Sequence, residues 1–209
     1  MGAQVPLLKK RGTNRVMFNY YIEPKVIPDF LTEDEIEYIK KESNNKFVPS
    51  DITDIKSGYI GIIDRNLRMS DSTWLEIDDP IVNSVIRKCV GLTNKPFTHC
   101  EKLNVLRYKE GGHFKHHQDV IQNYTINRRL YTIMIALNDD YEGGETDFPG
   151  LNIEYKLKKG SALFFHTLDN RKLHTSLALH GGKPVKSGEK WICNLWVWEY
   201  PIPELHHVR

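Results

Sequence analysis

From Leu103 onward the apolar residues come in short runs rich in Val, Ile, Tyr, Phe and Trp, each broken by Gly, Asn or Pro. The runs are "LNVLRY", "YTIMIALN", "IEYKL", "SALFFH", "TSLAL" and "WICNLWVW". Runs of this length, rich in β-branched and aromatic residues and separated by turn residues, predict an antiparallel sandwich or barrel. Two helices are expected ahead of this body. The first starts at "LTEDEIEYIKKES", where Thr32 and Glu35 form a capping box before Ile36 and Ile39. The second is "DPIVNSVIRKCVG": Asp79 caps it, Pro80 suits its first turn, Ile81, Val85 and Cys89 recur at helical spacing, and Gly91 ends it. The expected fold class is therefore mainly β with flanking helices (α+β), helices first.

The chain has 209 residues and no Pro-, Ser- or Gly-rich linker, so one domain over 21–209 is expected, with a short extension at 1–20 and its informative motifs at 103–198. With 29 basic and 27 acidic residues the formal charge is +2, too small to argue for nucleic acid or an anionic membrane. The basic cluster Lys9, Lys10, Arg11 and Arg15 reads as a solvated tail. Cys89, Cys100 and Cys193 are far apart and form no CxxC pair, which points away from a disulfide framework and toward a reducing compartment. The opening "MGAQVPLLKKRG" lacks the apolar run of a signal peptide, and no stretch is apolar enough to span a bilayer. A cytoplasmic protein is expected.

The polar residues of interest gather in "GGHFKHHQD", Gly111 to Asp119. With a strand period of two, His117 and Asp119 project from one face. His113 would join them on an unbroken strand, but the Gly111-Gly112 pair makes such a strand doubtful, and His116 would face the other way. A third ligand is best sought at His180 in "SLALHGG", read as an apolar strand ending in a histidine beside two glycines. Two imidazoles and one carboxylate with open positions are the ligand set of non-haem Fe(II) oxygenases, and zinc accepts the same donors. Parity in "KWICNLWVW" puts Lys190, Ile192, Asn194, Trp196 and Trp198 on one face. An ammonium on an interior face needs an anion, which a dicarboxylate co-substrate would supply. Lys183 and Lys186 read as loop decoration. His99, His166, His174, His206 and His207 are given no ligand role.

Taken together, "YKEGGHFKHHQD", "RLYTIMIALNDDYEGGETDFP", "KKGSALFF" and "SLALHGGKPVKSGEKWICNLW" closely resemble the prolyl 4-hydroxylase branch of the Fe(II)/2-oxoglutarate-dependent dioxygenases. Counting the weaker "LRMSDSTWL", the resemblance spans roughly Leu67 to Trp198. It implies a double-stranded β-helix, or jelly-roll, core buttressed by the N-terminal helices. It assigns Fe(II) to His117, Asp119 and His180, leaving His113 and His116 as bystanders. Lys190 and Thr146 would hold the distal carboxylate of 2-oxoglutarate, and Tyr108 would contact the co-substrate near the metal. On the substrate side Arg129, in an R-x-x-T pattern ending at Thr132, Phe114 and Trp196 are matched. Phe114 stands where relatives often have tyrosine. The implied activity is hydroxylation of a prolyl residue in a peptide or protein, with dioxygen as second co-substrate and ascorbate as a further cofactor. Phe114 and the short segment between Asp119 and Arg129 keep open an oxygenase of the same fold acting on a lysyl residue, a free amino acid or a small molecule. From another class comes a catalytically silent jelly roll that binds a partner or zinc.

Overall fold

The computed structural model describes residues 4–6, 20–54, 59–120 and 127–202. Helix α1 (Glu33–Ser43) begins as its sequence dictates. The Thr32 hydroxyl accepts from the Glu35 N–H, and the Glu35 carboxylate accepts from the Thr32 N–H at 2.9 Å. Helix α2 (Pro80–Val90) starts where Asp79 Oδ1 accepts from the N–H groups of Ile81 and Val82. Each cap contributes about 1 kcal/mol. The face that α2 buries is Val82, Val85, Ile86, Cys89 and Val90. Ile81, expected in that stripe, is instead 38% exposed, because the buried stripe runs one residue further along the helix. Gly91 ends α2 in a right-handed conformation, so its role is not that of a left-handed cap.

The strands of the two main sheets, numbered along the chain, are β1 (Lys25–Ile27), β2 (Val48–Pro49), β3 (Arg68–Met69), β4 (Asp71–Leu75), β5 (Leu103–Tyr108), β6 (His113–His117), β7 (Arg129–Ala136), β8 (Thr146–Phe148), β9 (Ile153–Tyr155), β10 (Ala162–His166), β11 (His180–Gly182) and β12 (Lys190–Trp198). The larger sheet has seven strands in the order β1-β10-β7-β12-β5-β4-β2, and the smaller has five in the order β9-β8-β11-β6-β3. The strand pairings are antiparallel.

The pleat of the larger sheet sorts its residues into two cores. On one face Leu103, Val105, Ile133, Ile135, Cys193, Leu195 and Val197 pack with Ile36 and Ile39 of α1 and Val82, Val85, Ile86 and Cys89 of α2. On the other face Leu106, Met134, Ala136, Leu163, Phe165 and Ile192 meet Phe148 of the smaller sheet. Each large apolar side chain fully buried in this way stabilises the fold by about 1.5–3 kcal/mol.

Two sequence expectations are corrected. The helices do not precede the β body as a block, since β2, β3 and β4 lie between α1 and α2, and β4 pairs along its length with β5. These strands are short and lie toward sheet edges, so alternation alone does not reveal them. "TSLAL" is not a strand either. Ser176–Ala178 form a 3-10 turn, in which the Thr175 hydroxyl accepts from the Leu177 N–H and draws the backbone out of any ladder. The expected extension at 1–20, with its basic cluster, lies outside the described residues apart from 4–6 and Tyr20. Among the described residues no helix is long and apolar enough to cross a membrane.

Candidate active site

His117 and His180 are brought together by strand pairing: β6 and β11 run antiparallel with His117 directly opposite His180. Gly181 makes this approach possible, because a Cβ there would meet His116 Cδ2 at 2.8 Å and the Phe114 carbonyl oxygen at 3.0 Å. The two glycines after His180 thus serve the strand itself and not a turn beside it. Gly111, at φ 77°, makes the tight turn between β5 and β6, and the strand resumes at His113. Asp119 lies two residues beyond the end of β6, so strand parity is not what places it. Even so, its Oδ1 is 3.5 Å from His117 Nε2 and its Oδ2 is 3.6 Å from His180 Nε2. One ligand atom from each residue falls within 4.8 Å of the others. His113 bonds to the carbonyls of Gly111 and Asn66, and His116 pairs with Asp147 at 2.8 Å, so neither joins the cluster. His174 contacts Gln118, while His206 and His207 lie outside the described residues.

The surroundings suit the cluster to a cation. His117 Nδ1 lies 2.8 Å from the Lys115 carbonyl and His180 Nδ1 lies 3.1 Å from that of Ala178. A carbonyl can only accept, so each Nδ1 carries the proton and each Nε2 keeps its lone pair for a metal. Burial pushes His180 down to about 4, with the Asp119 carboxylate pulling it back. Burial alone would raise the Asp119 carboxyl, but His180, His117 and Arg129 outweigh it and hold the group well below the usual carboxylate range. Two imidazole nitrogens and one carboxylate are a donor set that Fe(II) takes with positions to spare.

The wall of the adjoining pocket carries the other expected groups. Lys190, Ile192, Asn194 and Trp196 line it from one face of β12, as parity predicts. Buried Lys190 sits opposite Tyr108 in the register and donates to the Gly144 carbonyl at 2.6 Å. Burial pushes its ammonium down to about 8, with Glu145 pulling it back and Lys156 adding to the fall. The buried Thr146 hydroxyl has the thioether of Met134, 3.4 Å away, as its acceptor, a weak partner for a hydroxyl. Asn194 Oδ1 and Trp196 Nε1 are buried without any partner among the described residues. Orphaned polar atoms on the wall of a pocket fit one that receives a polar ligand.

Other residues contribute that sequence reasoning passed over. Arg68, carried in by the two-residue β3, lies over the Phe114 ring at 4.7 Å, and Phe114 in turn stacks on His117 with centroids 3.6 Å apart. Glu101 grips Arg129 through contacts of 2.6 and 3.0 Å, and the guanidinium lies 4.1 Å above the Trp196 ring. Arg129 itself is not part of the pocket wall. Asn194 was visible to parity. Arg68 and Glu101 had no local signal.

Fold and cluster together define an iron- and 2-oxoglutarate-dependent oxygenase, and the family model of the 2OG-Fe(II) oxygenase superfamily matches residues 103–198. A protein of Acanthamoeba polyphaga mimivirus, whose name assigns it to the prolyl 4-hydroxylases, is 34% identical over 187 residues, covering 84% of this chain and 74% of that protein. Prolyl 4-hydroxylase 1 of Arabidopsis thaliana is 29% identical, with 82% and 67% covered. The viral collagen prolyl hydroxylase of Paramecium Bursaria Chlorella virus-1, solved as its 2OG complex, superimposes with a TM-score of 0.68 at 28% identity, over 85% of this chain and 96% of that one. The chain belongs to the prolyl 4-hydroxylase family of the Fe(II)/2-oxoglutarate-dependent dioxygenases.

Proposed function

We propose that the protein hydroxylates a prolyl residue, at carbon 4, in a peptide or protein substrate, while 2-oxoglutarate is decarboxylated to succinate and CO2. The observation that carries this is the convergence of His117, Asp119 and His180 beside a pocket with a buried ammonium at its wall. We also infer that the two facing sheets are the double-stranded β-helix of the family, and that residues 21–209 form one catalytic domain. Tyr21 supports that boundary, since it is fully buried and its hydroxyl donates to the His166 carbonyl.

His117 Nε2, Asp119 and His180 Nε2 would hold Fe(II), which would supply the activation of dioxygen. The chain's own groups orient what reacts. The Lys190 ammonium turns from the Gly144 carbonyl toward the distal carboxylate of 2-oxoglutarate, where burial makes the pairing strong. Thr146 exchanges its thioether contact for a charge-assisted hydrogen bond to the same carboxylate. Tyr108 closes the co-substrate side. Phe114 and Trp196 form the substrate side, and Arg129, already held by Glu101, acts there through the Trp196 ring. Orientation of this kind is the protein's share of the catalysis. Cys89, Cys100 and Cys193 are all buried as thiols, which supports a reducing, cytoplasmic setting. We also infer ascorbate as a further cofactor.

The test is incubation of the iron-loaded protein with proline-rich and lysine-rich peptides, 2-oxoglutarate and air. Mass spectrometry should find one added oxygen, on proline. Oxygen on lysine alone would move the target to that side chain, and 2-oxoglutarate turnover with no modified peptide would point to a small substrate. Absence of the weak visible band of an anaerobic Fe(II)–2-oxoglutarate complex would sink the enzymatic reading.

A further inference from the structure

We propose that Thr132 decides how Asp119 holds the metal: its hydroxyl occupies Oδ2 and leaves Oδ1 as the single oxygen offered to the ion. The inference rests on the metal-binding role of Asp119 proposed above and adds a positioning residue to it.

Thr132 is fully buried on the pocket-facing side of β7, and its Oγ1 donates to Asp119 Oδ2 at 2.6 Å. A hydroxyl has one proton, and here that proton is committed to the carboxylate. Both carboxylate oxygens border the cluster, Oδ1 at 3.5 Å from His117 Nε2 and Oδ2 at 3.6 Å from His180 Nε2, and of the two it is Oδ2 that the Thr132 hydroxyl engages. An ionised carboxylate can grip a cation through one oxygen or both. A two-oxygen grip would fill a position that the co-substrate and dioxygen need, and a hydrogen bond to the second oxygen disfavours that grip. Asp119 lies beyond the end of β6, where no ladder holds it, and its side chain therefore depends on an outside anchor for its angle. The central strand β7, paired on both sides by β10 and β12, is a rigid place from which to provide one. On this reading the last residue of the R-x-x-T pattern acts on the ligand carboxylate, and its first residue, Arg129, acts on the substrate wall.

Hydroxyl removal without loss of volume is the direct test. Thr132→Val and Thr132→Ser are compared with the parent by calorimetric titration with Mn(II), by anaerobic titration of the Fe(II)-loaded protein with 2-oxoglutarate followed through its visible band, and by thermal unfolding without metal. Thr132→Val should lose roughly tenfold to a hundredfold in Mn(II) affinity and shift the band. Thr132→Ser, which keeps the hydroxyl, should bind and absorb like the parent. Should the Val variant not fold, Thr132→Ala takes its place. A folded hydroxyl-free variant matching the parent in affinity and spectrum would overturn the proposal, as would a folded Ser variant as impaired as Val. A parent that binds neither metal nor 2-oxoglutarate would overturn the metal-binding reading itself, and this inference with it.

Discussion

The two faces of β12 differ in almost every respect although their residues alternate along one strand. Trp191, Cys193, Leu195 and Val197 face the helices in an apolar core. Lys190, Ile192, Asn194 and Trp196 face the pocket, with an ammonium, an orphaned amide oxygen and an orphaned indole N–H among them. The first face contributes stability through burial, and the second bears the cost of desolvated polar groups, of which the Asn194 oxygen and the Trp196 N–H have no partner among the described residues. β7 repeats the division, with Ile133 and Ile135 against the helices and Thr132 and Met134 toward the pocket. The lesson is that the pleat separates holding the fold from doing the chemistry at a spacing of one residue. Changes on one face should therefore leave the other's property intact.

The hardest test of that separation is at the metal. Asp119→Ala removes the sole anionic group of the cluster, and turnover should fall by more than roughly a hundredfold with Fe(II) binding lost alongside it. The metal-free variant should still unfold cooperatively. If it does not, the chemical side of the sheet also holds the fold, and the division fails. The converse change is Leu195→Ala on the helix side. It should cost about 2–5 kcal/mol in denaturant unfolding while leaving the 2-oxoglutarate dissociation constant of the folded, iron-loaded protein unchanged. A large loss of co-substrate affinity there would show that the faces are coupled through the strand.

A pH series tests both sides at once. Burial lowers Lys190 from its ordinary value of 10.5 to about 8. Between these values the unfolded chain binds more protons at this residue than the folded chain, so its contribution to stability rises with pH across about 8 to 10.5. Over the same window the free protein loses the Lys190 ammonium, and if that group pairs with 2-oxoglutarate as proposed, co-substrate affinity should fall about tenfold per pH unit above 8. Opposite slopes for stability and affinity, both absent from Lys190→Met, are the expected result. Affinity that ignores pH in the parent would remove Lys190 from the co-substrate site.

Much of this was legible because it rests on local chemistry. Caps at Thr32 and Asp79 and the alternation along Lys190–Trp198 are short-range signals, and the structure follows them. What was not legible depends on tertiary placement. "TSLAL" has strand-like composition, but a side-chain hydroxyl turned it into a 3-10 segment. Asp119 was paired with His117 by strand parity, whereas it reaches the cluster from beyond the strand, tied down by Thr132. Arg68 arrives on an edge strand of two residues, too short for any periodicity to show. Glu101 lies remote in sequence from the Arg129 it holds, and no spacing rule connects them.

The smallest effect, and the finest division of the pocket, concerns Phe114. Its ring contacts both the Arg68 guanidinium and the His117 imidazole, so it joins a proposed metal ligand to the proposed substrate side. Phe114→Tyr keeps the ring and both stacking partners while adding one hydroxyl. If that edge faces the substrate, the new group either gains a hydrogen bond or loses some hydration, an effect of about 1 kcal/mol, and the KM for peptide should shift by roughly fivefold or less. Co-substrate affinity and the visible band of the Fe(II) complex should stay put. A band that moves while KM does not would assign Phe114 to the metal's surroundings, and the boundary between chemistry and recognition would then run on the far side of this ring.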